Sequence, residues 1–358
     1  MQYKTLDSLC KVASGGTPSR SKKEYWDGGD IPWIKIGNIK SKVVSNADEY
    51  ITEAGLNNSS AKLFKKGTIL YTIFATLGEV GILDFDACTN QAIAGISIEK
   101  TEEITTDYLY YYLKSKKAEV NQIGRGVAQN NINLSILRKF SIPMRDIDEQ
   151  KTIVDSLNKA ESIIEKQKRQ LEQLDELIKA RFVEMFGDIY KSTIYPKQKW
   201  NDIVTIRNGK DYKKVSVKGG GYPVYGTGGE MARASEFLCP ENTIIVGRKG
   251  TINNPMLVRE KFWNVDTAFG VIPGDKLHYL YFFWFCKMFD FSRLNKQAVL
   301  PSTTKADLLN IEMQVPPIDI QNQFATFVAQ VDKSKFAVQK SLEKTQQLFD
   351  SLMQEYFG

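Results

Sequence analysis

The chain has 358 residues, 42% of them hydrophobic and 25% charged, which is enough apolar material for the cores of two or three domains. Apolar runs stay shorter than the roughly 18 residues that a membrane span needs, and the N-terminus lacks a signal-peptide core. We therefore expect an intracellular, cytoplasmic protein with no membrane partner. The net charge of +6 fits a polyanionic partner but is too modest to identify one.

Cysteine and histidine usage argues against several kinds of catalytic or metal site. Cys10, Cys88, Cys239 and Cys286 are scattered, with no pair at metal-ligand spacing, and His278 is the only histidine. A zinc site or a His-based catalytic triad is therefore nearly excluded. We expect no metal and no cofactor, and we interpret His278 as a partly buried helix residue.

The first segment, residues 1–141, is rich in Gly, Thr, Ile, Val and aromatic residues in short alternating runs. This pattern predicts a compact α+β domain with mostly short strands. Two of its loops, residues 15–23 and 124–131, combine small residues with hydroxyls, amides and cations that suit phosphates and base edges, although each could be a plain solvated loop. The candidate DNA-binding residues in this segment are Thr17, Ser19, Arg20, Lys22, Lys35, Arg125, Gln129 and Asn130.

A long helix is predicted within residues 142–187, after a proline and before a glycine suited to a C-cap. Apolar residues follow a 4-3-4-3 spacing, which is the heptad seam of two helices that pack along their lengths. Polar Gln167 on the seam could fix the register. The seam residues proposed as a coiled-coil or partner interface are Ile153, Leu157, Ile164, Leu171, Leu174 and Ile178.

The next segment, residues 188–314, has the same character as the first and predicts a second α+β domain. Its sharpest candidate is the stretch from Gly247 to Thr251, where two cations lie between glycines at a strand end. The candidate DNA-binding residues in this segment are Lys213, Lys214, Tyr225, Thr227, Arg248, Lys249, Thr251 and Lys305.

A second long helix is predicted within residues 315–358, with Lys335 and Thr345 as polar seam positions. Two such helices in one chain favour an intramolecular antiparallel coiled coil, although each seam could instead pack onto its own domain. A helix of roughly 35 residues is about 50 Å long, enough to hold two domains about one to one and a half turns of B-DNA apart. The second set of seam residues is Phe324, Val328, Val331, Val338, Leu342, Phe349 and Leu352.

The two halves of the chain match in order, roughly 172 to 176 residues apart. Residues 66–70 match 241–245, residues 90–93 match 266–269, and both long helices end at Phe-Gly. We therefore predict an α+β protein with two tandem-duplicated domains, joined by two long helices that form an antiparallel coiled coil. The predicted boundaries are 1–141, 142–187, 188–314 and 315–358.

Catalytic motifs are missing from the sequence. Gly209-Lys210 is not part of a phosphate-binding loop, and no dinucleotide fingerprint or nucleophile elbow is present. The stretch from Asn253 to Met256 lacks the second proline and the aromatic of the adenine methyltransferase motif. We therefore predict that the chain is not an enzyme.

Several motifs closely resemble those of the specificity (S) subunits of Type I restriction–modification systems, and the resemblance spans essentially the whole chain. They are Gly-Gly-Thr-Pro-Ser at 15–19, Tyr-Trp at 25–26, Gly-Asp-Ile-Pro-Trp at 29–33, Gly-Thr-Ile-Leu at 67–70, Gly-Glu-Val-Gly at 78–81, Asn-Gln-Ala at 90–92, and the stretch 142–150. The second domain departs from the pattern, because Arg-Asn-Gly-Lys at 207–210 replaces the Gly-Gly-Thr-Pro-Ser motif.

The resemblance implies that residues 1–141 and 188–314 are target-recognition domains, each reading one half of a gapped double-stranded DNA target. Residues 142–187 and 315–358 would be conserved helical regions, spacer helices that set the gap and dock two methyltransferase (M) subunits. The M subunits would methylate adenine, and restriction (R) subunits would join to cleave unmodified DNA. Two alternatives are a coiled-coil adaptor that bridges protein partners without reading sequence, and a self-contained nuclease or methyltransferase.

Overall fold

A computed structural model describes residues 2–125, 131–294 and 302–358. The chain forms two compact units, one of Met1–Lys166 with Leu342–Gly358 and the other of Gln167–Ser341. The four segments predicted from the sequence follow chain order, whereas the unit boundaries fall inside the two long helices. The reason is that each half of a long helix contributes side chains to a different core.

The first unit is a mixed α/β domain built on two sheets and a two-stranded pair. Its sheets have the strand orders β2-β10-β7-β8-β4 and β5-β3-β9-β6, and β1 pairs with β11. The elements are β1 (Gln2–Thr5), α1 (Leu6–Leu9), β2 (Cys10–Ser14), β3 (Ile31–Ile34), β4 (Val43–Val44), β5 (Glu49–Ile51), α2 (Glu53–Asn57), β6 (Leu63–Phe64), β7 (Ile69–Thr72), β8 (Val80–Leu83), β9 (Ala87–Thr89), β10 (Ile93–Ile98), α3 (Thr106–Ser115), α4 (Lys117–Arg125), α5 (Leu134–Arg138) and β11 (Ser141–Met144), after which the first long helix α6 (Ile147–Phe186) begins.

The second unit repeats this plan. Its sheets have the orders β13-β20-β17-β18 and β14-β16-β15-β19, and β12 pairs with β21. The elements are β12 (Lys197–Lys199), α7 (Trp200–Ile203), β13 (Val204–Asn208), β14 (Ser216–Val217), β15 (Tyr222–Gly226), β16 (Gly229–Ala234), β17 (Thr243–Gly247), β18 (Met256–Val258), β19 (Trp263–Asn264), β20 (Ala268–Pro273), α8 (Tyr279–Met288), α9 (Lys305–Leu309), β21 (Glu312–Gln314) and the second long helix α10 (Ile318–Phe357).

Strand register fixes which residues of the two units are equivalent. Gly95 of β10 lies opposite Leu70 of β7, and Gly270 of β20 lies opposite Ile245 of β17. Residues 90–93 are therefore equivalent to 265–268. The sequence comparison, which matched them to 266–269, was wrong by one residue, because Leu70 to Gly95 and Ile245 to Gly270 span the same number of residues and leave no room for a shift.

A buried glutamine near the start of α6 fastens that helix to the rest of the first unit. Gln150 is fully buried, and its Oε1 accepts the Thr105 N–H at 2.9 Å. Its Nε2 donates to the carbonyls of Glu103 and Arg145, at 2.7 and 3.0 Å. All three partners are backbone groups of partly buried residues, where a hydrogen bond to the side chain offsets the loss of contact with water.

Gln321 makes the same three bonds in the second unit. Its Oε1 accepts the His278 N–H at 2.8 Å, and its Nε2 donates to the carbonyls of Lys276 and Pro316 at 2.9 and 2.7 Å. His278 is the N-cap of α8, where its Nδ1 accepts the Leu280 N–H. The expected helix position was therefore wrong by one residue, because the imidazole satisfies a free N–H of the first turn. Burial lowers the pKa of His278.

Each long helix has 40 residues and is about 60 Å long. Gly187 follows α6 with a φ of +74°, the left-handed conformation expected of the predicted C-cap. None of the described helices combines the length and the apolarity needed to cross a membrane.

The ends of both predicted seams pack into the core of a unit. Ile153, Leu157, Ile164 and Phe349 are buried in the first core, with Leu342 and Leu352 half-buried against it. Ile178, Phe324, Val328 and Val331 are buried in the second core, with Leu174 against it. Leu171 and Val338 are half-buried. Packing of a seam onto its own domain, the alternative left open by the sequence, therefore holds only for the first half of each helix, whereas the second half packs into the core of the other unit.

Candidate nucleic-acid interface

The loop of residues 15–17 lies tightly across the segment between β9 and β10. The Gly15 N–H donates to the Ile93 carbonyl at 3.0 Å, and the Gly16 N–H donates to the Thr89 carbonyl at 2.9 Å. The indole of Trp33 donates to the Gly16 carbonyl at 3.0 Å. A Cβ on Gly15 would lie 2.3 Å from the Thr89 carbonyl oxygen, so this close approach requires glycine.

The second unit builds the same loop without the Gly-Gly-Thr-Pro-Ser motif. The Gly209 N–H donates to the Ala268 carbonyl at 3.2 Å, and the Lys210 N–H donates to the Asn264 carbonyl at 3.0 Å. Trp263 donates to the Lys210 carbonyl at 2.9 Å. Gly209 and Lys210 therefore stand where the first unit has Gly15 and Gly16, and an indole fixes the same carbonyl in both.

Two predicted DNA-binding cations of the first unit share one carboxylate. Arg20 and Lys35 both pair with Glu49, and the Arg20 guanidinium lies 3.6 Å from the centre of the Trp26 ring. Lys35 and Arg20 hold the pKa of Glu49 below its usual value. A pairing this distant in sequence was not foreseen, and it orients both cations while neutralising part of their charge.

The other candidates of the first unit are held less firmly. The Lys22 ammonium donates to the Tyr25 hydroxyl at 2.9 Å, and the exposed Ser19 hydroxyl lies 2.9 Å from that of Ser21. Thr17 donates to Oε1 of Gln91. Arg125 ends α4, while Gln129 and Asn130 lie outside the described residues.

The loop of residues 248–250 in the second unit follows β17 and presents two exposed cations. The Arg248 N–H donates to the Thr267 carbonyl at 2.8 Å, and the Thr303 hydroxyl donates to the Gly247 carbonyl at 2.7 Å. The backbone of Lys249 forms an isolated antiparallel β-bridge with that of Ser302, and Gly250 has a φ of +76°. The backbone of this loop is thus fixed at several points, whereas both cationic side chains reach the surface.

The remaining candidates of the second unit lie in three places. Lys305 is the exposed first residue of α9, two residues after Thr303, and Thr251 directly follows the 248–250 loop. Lys213 and Lys214 are exposed in a short 3₁₀ turn. Thr227 is half-buried in the turn after β15. The half-buried Tyr225 ring packs edge-on against Phe262 with centroids 5.7 Å apart, so it belongs partly to a small core.

The first unit has a structural counterpart of the 248–250 loop in residues 73–75. Because Leu70 is equivalent to Ile245, Ile73, Phe74 and Ala75 occupy the positions of Arg248, Lys249 and Gly250. The Ile73 N–H donates to the Ala92 carbonyl at 2.9 Å, as Arg248 does to Thr267. Phe74 forms the bridge with Asn131 that Lys249 forms with Ser302, and Ala75 has a φ of +63°.

Phe74, Gln91 and Asn131 were not among the candidates chosen from the sequence. They line one open cavity of about 300 Å³ together with Ile73 and Asn133. An alignment of the two halves in the strand register would have found the Phe74 position, because it falls opposite Lys249.

Cysteine and acidic side chains are among the residue types that can form a metal site. The four cysteines are free and buried, and burial raises the pKa of Cys10 to about 12 and that of Cys88 to about 11. Across residues 2–125, 131–294 and 302–358, no group of three or more His, Cys, Asp and Glu side chains could hold a metal ion.

One protein-family model matches both halves of the chain. Residues 1–175 and again residues 196–348 match the family described as the Type I restriction modification DNA specificity domain. These matches cover most of both halves, so the chain belongs to this family, and the resemblance identified from the sequence motifs is confirmed.

Curated relatives include Type I specificity subunits of archaea and bacteria. The MjaIX specificity subunit of Methanocaldococcus jannaschii is 35% identical over 190 residues, which are 52% of this chain and 43% of the relative. The EcoR124I/EcoR124II specificity subunit of Escherichia coli is 28% identical over 169 residues, 46% of this chain and 41% of the relative. The chain thus spans less than half the length of these two relatives. The EcoprrI specificity subunit of Escherichia coli is 22% identical over 361 residues, 93% of this chain and 88% of the relative.

Solved structures share the fold over the full length. The S subunit of a Type I restriction–modification system from M. genitalium has a TM-score of 0.59 at 16% identity, over 100% of this chain and 96% of that one. A chain from a structural study of the assembly and conformational transition of the type I R-M system has a TM-score of 0.60 at 15% identity, over 99% and 97%. These matches confirm the part of the α+β prediction that concerns a mixed fold of helices and strands with two repeated domains.

Proposed function

We propose that this chain is the DNA sequence-specificity subunit of a Type I restriction–modification complex, in which each unit reads one half of a bipartite, gapped target. The observation that carries the proposal is the family match in both halves. The duplicated loops support it, since the 73–75 and 248–250 loops share one backbone arrangement and bear different side chains. Two loops with similar backbones and different side chains suit a target whose two halves differ in sequence.

The recognition mechanism is positional rather than chemical. Exposed cations such as Arg248, Lys249 and Lys213 neutralise phosphates, which supplies salt-dependent affinity and sets the register of each unit on the duplex. Amide, hydroxyl and apolar groups of the neighbouring loops then contact base edges, which supplies selectivity. The chain itself carries out no covalent step, and partner subunits perform the methylation and the cleavage.

The two long helices act as the spacer between the recognition domains, as an antiparallel coiled coil. Two polar contacts within the second unit support the direction. Gln167 donates to the Ser341 hydroxyl at 2.8 Å, and Lys335 pairs with Asp175 at 2.6 Å. Between the first contact and the second, the residue number rises from 167 to 175 in α6 and falls from 341 to 335 in α10, as it does in antiparallel helices. Both contacts involve seam positions, where polar residues favour one register over others.

The partners would be double-stranded DNA, two M subunits bound through the helical regions, and R subunits in the complete complex, all acting in the cytoplasm. In this arrangement the chain determines where adenine is methylated. An adaptor that only bridges proteins would have no use for two loops with matched backbone supports that present an aromatic ring in one unit and two cations in the other.

The direct test is a genome-wide map of N6-methyladenine in a host that expresses the chain with its M subunit. We expect a two-part motif with a fixed gap, present only when the chain is expressed. The control host carries the M subunit alone. Methylation that is robust and unchanged without the chain would show that the chain does not direct it, and the adaptor alternative would then take precedence.

A further inference from the structure

We propose that Phe74 is a specificity-determining residue of the first unit, which contacts the C5-methyl group of a thymine in the major groove of the first half-site. The inference rests on the proposed function and deepens it, because it names a base that one side chain reads. It begins from the equivalence of Phe74 and Lys249 given by strand register.

The exposure of Phe74 is unusual for its setting. Its side chain is 46% exposed although both neighbouring strands are buried, and Ile73 beside it is 8% exposed. Two hydrogen bonds fix the loop backbone at Ile73. Its N–H donates to the Ala92 carbonyl at 2.9 Å, and its carbonyl accepts the Ile132 N–H at 3.0 Å. The phenyl ring is therefore presented by a supported backbone rather than by a loose loop.

Backbone conformation also indicates a constrained loop. Ala75 has a φ of +63°, in the left-handed region that non-glycine residues seldom adopt, and Gly250 has a φ of +76° at the equivalent position. The first unit thus keeps the conformation that presents Lys249 in the second unit, even with a side chain that disfavours it. What changes between the units is the group presented, a cation in one and an aromatic ring in the other.

The surroundings of Phe74 match an A·T base pair. Gln91 and Asn131 line the same cavity, and the Thr17 hydroxyl binds Gln91 Oε1 and so fixes that amide from one side. Side-chain amides pair with the N6 and N7 edge of adenine, while apolar side chains contact the methyl group of thymine. A phosphate would gain nothing from the phenyl ring, so a base edge is the partner that this side chain fits.

The test removes the methyl group alone. Once the target is mapped, binding of the complex of this chain with its M subunit is measured on duplexes in which each thymine of the first half-site is replaced in turn by deoxyuridine. For the unaltered protein we expect one replacement to weaken binding about fourfold, the effect of one buried methyl group. For Phe74→Ala, that same replacement should have no further effect, whereas Phe74→Leu should retain it.

Phe237→Ala is the matched control, since Phe237 is 41% exposed and lies in the other unit. It should leave the effect of deoxyuridine in the first half-site unchanged. The inference is overturned if no first-half deoxyuridine weakens binding, if Phe74→Ala shows the same loss as the unaltered protein, or if the first half-site holds no thymine. Binding without any sequence preference would instead overturn the proposed function, so the two failures are distinguishable.

Discussion

The 73–75 and 248–250 loops differ in chemistry although their backbones are held in the same way. Each follows the equivalent strand, β7 or β17, and donates a hydrogen bond to the residue before β10 or β20. Each also forms a backbone β-bridge to the chain before a short helix and turns at a residue with positive φ. One presents Phe74 and the other presents Arg248 and Lys249. The duplication has kept the buried supports and changed the exposed groups, as the proposed reading of two different half-sites requires.

The largest expected effect comes from substituting Gly15 or Gly209, the two equivalent glycines whose loops lie tightly against neighbouring backbone. A Cβ on Gly209 would lie 1.9 Å from the Val265 carbonyl oxygen, so Gly209→Ala must displace backbone and should cost about 3 kcal/mol of stability, as should Gly15→Ala. Guanidinium unfolding measures both. The controls Gly37→Ala and Gly219→Ala meet no atom within 4 Å. If Gly209→Ala left the stability unchanged, the loop at Gly209 would not share the close backbone approach of the loop at Gly15.

The two buried glutamines test the equivalence of the units at the long helices. Gln150→Ala or Gln321→Ala removes three hydrogen bonds and leaves backbone groups without partners, at an expected cost of about 2 kcal/mol in each case. The exposed Gln323→Ala is the control and should be near neutral. Thermal unfolding of the three variants gives the comparison, and clearly unequal losses for Gln150 and Gln321 would contradict it.

The different surfaces should appear in the salt dependence of DNA binding. Replacing Arg248 and Lys249 by alanine should lower the slope of log K against log salt concentration by up to about 2, one phosphate for each cation. Affinity near 0.1 M salt should fall about tenfold. Phe74→Ala should leave the slope unchanged.

The control for the charge variants is Lys197→Ala with Lys199→Ala, two exposed cations of the second unit on β12. It removes the same charge from a site that we did not choose as a DNA contact. Titrations at several salt concentrations, made with the assembled complex, separate local contacts from net charge. Equal slopes of log K against log salt concentration for the two double variants would show that the 248–250 loop is not part of the DNA interface.

The smallest expected effect concerns Glu49, which pairs with Arg20 and Lys35 in the first unit. The depressed pKa keeps this carboxyl ionised at neutral pH, where it opposes the approach of phosphate. Glu49→Gln should therefore raise DNA affinity about threefold at low salt, with the gain fading as salt screens the charges. Affinities at two salt concentrations measure this, and weaker binding of the variant would show that Glu49 instead serves to orient the cations.

The sequence predicted features that repeat or that follow a short period. The duplicated domains could be identified because motifs recur in the same order in both halves. The helix ends at Phe-Gly and the position of Arg248 and Lys249 at a strand end could be identified because neighbouring residues define them. The pairing of Arg20 with Glu49, and the bridge of Phe74 with Asn131, join residues far apart in the chain. Local patterns carry no signal for such contacts, so the paired cations and the aromatic loop became visible only in the fold.

The central claim is that each unit reads its own half of the target, and a domain exchange tests it most directly. Residues 1–141 would be replaced by the corresponding domain of another family member, and N6-methyladenine would be mapped in a host with the same M subunit. We predict that one half of the two-part motif changes while the other half and the gap persist. A motif in which both halves change, or in which neither does, would contradict the account.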